Sequence, residues 1–131
     1  MGNKPVRARV PPYARNVSDE DCLFCKIASG DIPAEVVHES ETTVAFRDLS
    51  PQAPTHVLVI PRSHYRNAGE LAQGEPGATS HLFDAAREIA ETEGLDEGYR
   101  LVFNTGAAAH QTVFHVHMHL LGGRAMGWPP G

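Results

Sequence analysis

The chain has little cysteine, few positive charges and no long apolar run, and each shortage removes a class of protein. Its two cysteines, Cys22 and Cys25, stand three residues apart. So close a pair cannot staple a secreted mini-domain; it suits a reducing compartment and reads as half of a metal site. The longest purely apolar run is Val57-Leu58-Val59-Ile60, whereas roughly 20 such residues are needed to cross a bilayer. Lysine and arginine number 11 against 16 acidic residues, a formal net charge of −5, which argues against broad nucleic-acid binding. No basic-then-apolar secretion signal opens the chain, because residues 1–15 are basic and proline-rich without an apolar stretch. The expectation is a soluble, cytoplasmic protein with no membrane span and no specific nucleic-acid partner. At 131 residues, 41% of them hydrophobic, the chain can core one domain but not two.

Residues 1–17 carry Lys4, Arg7, Arg9, Arg15 and three prolines. They offer nothing to bury and are expected to form a flexible basic leader, with the domain spanning 18–131. Ser18 and Asp21 suggest a capping box ahead of a helix that sets Leu23, Phe24 and Ile27 on one face and stops at Gly30. Such a helix holds Cys22 and Cys25 at i and i+3, so both thiols can point the same way. Val36–Glu39, Thr43–Asp48 and Thr55–Ile60 read as strands, the last ended by Pro61. Glu70–Gly77, with two glycines and a proline, reads as a loop. The stripe Leu82, Phe83, Ala86, Ile89 and Ala90 predicts a helix over Thr79–Glu93, capped by Gly94. Tyr99–Asn104 and Val113–Leu121 are the fourth and fifth strands, joined through the small-residue loop Thr105–Ala109. This order gives an α+β domain with an antiparallel five-stranded sheet and helices on one face.

Histidine is abundant. There are eight, and His115, His117 and His119 fall within five residues. On a strand they share a face, with Val116, Met118 and Leu120 on the other. Neighbours in such a row stand about 6.5–7 Å apart, too far for one small ion to be gripped by all three without distortion. Three readings compete: a catalytic three-histidine zinc site, an unused surface row, or a central imidazole that attacks phosphorus to give an intermediate that water cleaves. The third suits a division of labour among the three.

The run His115-Val116-His117-Met118-His119-Leu120-Leu121 resembles the signature of the histidine triad family. Phe46-Arg47-Asp48-Leu49-Ser50-Pro51-Gln52-Ala53-Pro54-Thr55-His56, then Val59-Ile60-Pro61, Gly122-Gly123-Arg124 and Trp128-Pro129-Pro130-Gly131 extend the likeness to its Hint branch, from Cys22 onward. The resemblance implies a homodimer with one continuous ten-stranded sheet, the Trp128 tail reaching toward the partner's site. It implies hydrolysis at the α-phosphate of a purine nucleotide, typically of phosphoramidates such as adenosine 5′-phosphoramidate or aminoacyl-AMP, with no catalytic cofactor. By motif position His117 is the nucleophile, His119 contacts the phosphate and assists the leaving amine, His115 completes the triad, and His56 holds the tautomers. Asn104, Gln111 and Thr112 would contact the phosphate or the scissile group, and Asp48 the ribose hydroxyls. Leu23, Phe24, Ile27, Phe46 and Leu49 would wall the base, or else simply pack the core.

Many relatives carry glycine where this chain has His110, which matters if that backbone needs positive φ. Several bacterial relatives share the cysteine pair. By that likeness Cys22, Cys25, His64 and His115 form a closed Cys₂His₂ site for a structural zinc; otherwise the cysteines are two buried thiols. The same triad is compatible with a dinucleoside polyphosphate hydrolase, a nucleotidyl transferase, or a nucleotide-binding scaffold without catalytic purpose.

Overall fold

A computed structural model describes residues 21–131; the expected leader 1–17 and the expected cap at Ser18 lie outside the described residues. Alternation along two inner strands decides the layering. In β2 (Thr43–Arg47) and β3 (Thr55–Pro61), Ala45, Val57 and Val59 join one core, while Val44, Phe46, Leu58 and Ile60 join a second on the opposite face. All of β3 is buried, as befits a strand covered on both sides. With β1 (Val36–Glu39), β4 (Tyr99–Val102) and β5 (Met118–Gly122), the sheet runs β1-β2-β3-β5-β4, every neighbouring pair antiparallel. The five-stranded antiparallel sheet expected from sequence is present.

Helices divide between the faces. Leu23–Ser29 is α1, Ala68–Gly74 is α2 and Pro76–Thr92 is α3. Leu71 of α2 and Leu82, Ala86, Ile89 and Ala90 of α3 bury against one face, so one-sided placement holds for these two. Phe83 falls outside the stripe and is 48% exposed. The short α1 lies over the other face, packing Phe24 on Val44, Phe46 and Ile60. That face also carries His56 and His119, in phase with Leu58 across the ladder.

Local chemistry sets the helix ends. Cys22 is the N-cap of α1, its Sγ accepting from the Cys25 N–H at 3.3 Å, and Gly30 ends the helix at φ +86° as expected. The loop expected over Glu70–Gly77 is corrected: most of it lies in α2 and in the first turn of α3. Asn67 caps α2 by accepting from the Glu70 N–H at 3.0 Å. Pro76 starts α3 at its first turn rather than breaking a helix. Gly74 serves close approach, since a Cβ there would meet the Tyr65 ring at 2.6 Å.

The fifth strand starts at Met118, not at Val113, so His115 and His117 precede it. The Val116 N–H donates to Tyr65 O at 2.8 Å, and pairing with β3 begins only at Val59↔Met118. The Val116 backbone is therefore tied to the segment that follows β3 instead of joining the ladder. Among the described residues no helix is long and apolar enough to cross a membrane.

Candidate active site and metal centre

That departure from the strand splits the three histidines. The His115 ring, fully buried, turns to Cys22, Cys25 and His64, while the rings of His117 and His119 stay together with centroids 5.0 Å apart. The single-face row read from alternation is corrected accordingly, because alternation governs only residues held in a ladder.

His115 Nδ1 stands 3.4 Å from each cysteine Sγ and 3.2 Å from His64 Nδ1, and Cys25 Sγ lies 3.4 Å from His64 Nδ1. A tetrahedral zinc with usual bond lengths sets S···N near roughly 3.6 Å and N···N near roughly 3.4 Å, so the donors fit that ion. His115 Nε2 faces the Pro61 carbonyl at 2.9 Å. A carbonyl only accepts, so the proton sits on Nε2 and the Nδ1 lone pair faces the sulfurs, the orientation a metal-ligating imidazole needs. The Cys22 thiol is held far below its ordinary range, chiefly by its hydrogen bond with Cys25, against burial. A metal bound here would take both cysteines as thiolates.

The same accounting fixes the other rings. His117 Nδ1 lies 2.9 Å from the His115 carbonyl oxygen, so it carries the proton and leaves the Nε2 lone pair bare. His56 Nδ1 accepts from the Gln52 N–H at 3.0 Å; its proton is therefore on Nε2, which stands 2.9 Å from His119 Nδ1. His119 Nδ1 must accept, and its proton moves to Nε2, a buried atom with no hydrogen-bond partner. Burial is the main force lowering the His117 pKa, and likewise that of His56. His119 is pushed down to about 4 by burial and by the neighbouring His117 and His56. All three rings are neutral near pH 7: one bare lone pair beside one unpartnered N–H. Asp48, His56 and His119 also bring potential ligand atoms together, but the two nitrogens a metal would take already share a proton, so this group is a hydrogen-bond relay.

Both histidines open onto a cavity of about 690 Å³. Leu23, Phe24, Ile27 and Phe46 line its apolar side, with Phe24 edge-on to His117 at 5.1 Å between centroids. Asp48, Leu49, Asn104, Thr112 and His56 line it too. Leu49 is fully exposed at the mouth. Asp48 Oδ1 accepts from the Ser50 N–H at 2.7 Å and Oδ2 lies 3.6 Å from His56 Nε2. Arg47, the one lysine or arginine in the lining among the described residues, is engaged by Glu93 at 3.1 and 2.9 Å and by Glu35 at 3.2 Å. Among the described residues, an anion in this cavity would therefore meet neutral N–H donors rather than a free cation.

Gln111 departs from its expected place. It is buried, outside the cavity lining, with its amide on Gly106 N–H and on the carbonyls of Arg66 and Val113. It shapes the loop that presents Thr112. His110 does occupy a left-handed backbone, φ +69°, after the 3₁₀ turn Ala107–Ala109, and it lines the cavity. Sequence reasoning missed three backbone groups, the Gln52 N–H and the Pro61 and His115 carbonyls, which leave no side-chain signal.

Fold and site together define a histidine-triad type of α+β domain, with one histidine joined to a Cys₂His₂ cluster and two open to a cavity. The HIT domain family model matches residues 29–126, and the chain belongs to the HIT family. A 14 kDa zinc-binding protein of Zea mays is 46% identical over 120 residues, which cover 89% of this chain and 93% of that protein. Among solved structures, a HIT family hydrolase from Legionella pneumophila superposes with a TM-score of 0.81 at 50% identity, over 84% of this chain and 99% of the other. A histidine triad nucleotide-binding protein from Candida albicans superposes with a TM-score of 0.73 at 34% identity, over 82% of each chain.

Proposed function

We propose that the protein hydrolyses the P–N bond of purine nucleoside phosphoramidates, of the adenosine 5′-phosphoramidate type, through a nucleotidyl-histidine intermediate. The observation that carries this reading is the pairing, in one cavity lining, of His117, whose Nε2 lone pair is bare, with His119, whose buried Nε2–H has no partner. The names of the hydrolase and nucleotide-binding relatives support it. The apolar side takes the base and Asp48 the ribose hydroxyls. Asn104, Thr112 and the His119 N–H donate to the phosphate oxygens.

His117 Nε2 then attacks phosphorus, a P–N bond to the ring forms, and the bond to the leaving nitrogen breaks; that nitrogen takes a proton from water and departs as an amine. Donors aimed at the phosphate oxygens stabilise the charge that builds there. A second water attacks phosphorus and loses its proton to solvent. The electron pair of the P–Nε2 bond returns to His117, releasing the nucleoside monophosphate. Cys22, Cys25, His64 and His115 would hold a structural zinc, which supplies a closed four-ligand cross-link with no open position. The resemblance further suggests a homodimer through β4, an edge strand beside the exposed Phe83.

The test is nucleoside monophosphate release from adenosine 5′-phosphoramidate and from diadenosine tetraphosphate, with the parent chain. Faster turnover of the phosphoramidate supports the reading. Faster turnover of the polyphosphate reassigns the leaving group, and turnover of neither makes the protein a binding scaffold.

A further inference from the structure

The proton on His119 Nε2 is set through two residues that themselves line the cavity, His56 and Gln52. Its orientation depends on His56 keeping its own proton on Nε2, and that depends on the Gln52 N–H occupying His56 Nδ1. Gln52 sits in a turn that Asp48 Oδ1 and Ser50 shape locally: Ser50 N–H donates to Asp48 at 2.7 Å, and Gln52 Nε2 donates to Ser50 O at 2.9 Å. Those bonds span few residues and move with the turn. The tie from a distant segment is Arg124, whose Nε donates to Gln52 O at 3.0 Å while Nη1 holds Ala125 O at 3.0 Å. Among the described residues no carboxylate pairs with Arg124, so this grip is not a by-product of an ion pair.

Topology closes the circuit. His119 lies on β5 and Arg124 follows that strand after a turn at Gly123, φ +90°, where the chain passes so near Pro54 that a Cβ would stand 2.9 Å from it. One continuous segment therefore touches His56 directly through His119 and indirectly through Arg124 and Gln52.

We infer that Arg124 is a positioning residue for the reaction, holding Gln52 so that its N–H fixes the proton pattern of the His56–His119 pair and keeps His119 Nε2 a donor toward the cavity. The catalytic consequence rests on the hydrolase reading above; the proton pattern does not. When the Gln52 N–H turns away, His56 can move its proton to Nδ1. Its Nε2 then accepts, His119 Nδ1 must donate, and His119 Nε2 presents a lone pair where a phosphate oxygen needs an N–H. No proton is gained or lost, but the polarity of the contact reverses.

The experiment uses the zinc-loaded full chain, ¹⁵N-labelled, with imidazole tautomers read from long-range ¹H–¹⁵N spectra and turnover of adenosine 5′-phosphoramidate read alongside. The parent should show His119 protonated at Nε2 only. Arg124→Gln should show mixed tautomers at His56 and His119, with kcat down roughly tenfold and KM within about twofold, the signature of an interaction realised in the transition state. Arg124→Lys, which keeps a donor for Gln52 O, should recover much of both. Gln52→Pro deletes the N–H itself and should reproduce the tautomer change, which covers the case of a poorly folding Arg124 variant. Parent-like tautomers in both Arg124→Gln and Gln52→Pro overturn the inference, as does a tautomer change that leaves kcat untouched. If the parent is inactive while the tautomers change as described, the proton pattern is upheld and the hydrolase reading fails.

Discussion

His117 Nδ1 stands 2.9 Å from the carbonyl oxygen of His115, so the residue that faces the cysteines also fixes the proton of the residue that faces the cavity. His115 is pinned in turn at Nε2 by Pro61 O. The Cys₂His₂ cluster and the bare His117 Nε2 lone pair are two ends of one short backbone segment.

His117→Ala removes that lone pair. Release of nucleoside monophosphate should fall by about three orders of magnitude or more, as when a covalent nucleophile is deleted. Nucleotide affinity, measured by calorimetry, should change little, since base, ribose and phosphate donors remain. Residual turnover within tenfold of the parent would rule out the covalent route.

Metal content bears on stability first. Elemental analysis of protein purified without chelator should give about one zinc per chain, by the closed four-ligand rule. Cys25→Ser should lose the ion and melt several degrees lower, at about 2–8 °C for each kcal/mol lost in a chain of this size. Because His115 carries the His117 hydrogen bond, the metal-free protein should also show a lower kcat at saturating substrate. Full activity in the zinc-free variant would uncouple the two sites.

The depressed histidines make stability depend on pH in one direction. Above about 6.5 folded and unfolded chains both leave these rings neutral. Below it the unfolded chain takes protons that His119, at about 4, still refuses, and so too, in part, for His56 and His117. Urea midpoints should therefore fall steadily from about pH 6.5 toward about pH 4. His119→Gln, at equal zinc content, should flatten part of that slope. An unchanged slope would assign the acid sensitivity elsewhere.

Backbone strain offers a stabilising substitution. His110 at φ +69° bears about 1–2 kcal/mol of left-handed strain, against roughly 0.4–1 kcal/mol that glycine costs through the unfolded chain. The former is larger, so His110→Gly should raise the unfolding free energy slightly, by about 0.5 kcal/mol, seen as a small rise in urea midpoint. Gly74→Ala should do the reverse and more strongly, because its new methyl meets the buried Tyr65 ring at 2.6 Å; overpacking of that kind costs about 1–3 kcal/mol.

Much of the fold was legible. The strands at Val36–Glu39, Thr43 and Thr55 and the stripe of α3 follow from alternation and from helical spacing, signals carried by neighbours in the chain. The α2 helix was not, because Gly69, Gly74 and Pro76 outweigh a single Asn67 cap until the burial of Leu71 is known. Of the candidate site, the cavity gathers Asp48, Asn104, Thr112, His56, His117 and His119 as expected from the motif. Gln111 is set apart from it, since its amide satisfies three backbone groups of its own loop.

Residue types and spacing alone determined that two cysteines could face one way, that alternating histidines could be separated from a packed apolar set, and that the chain resembles a family built on that pattern. Tertiary structure alone decided that His115 leaves the strand to meet cysteines 93 and 90 residues earlier in the chain. It also decided where the proton sits on each ring. Spacing sets the direction of a Cβ, but a tautomer is set by whichever donor or acceptor stands opposite. Here those partners are Pro61 O, His115 O and the Gln52 N–H, backbone groups that every sequence carries and only the folded chain brings into place.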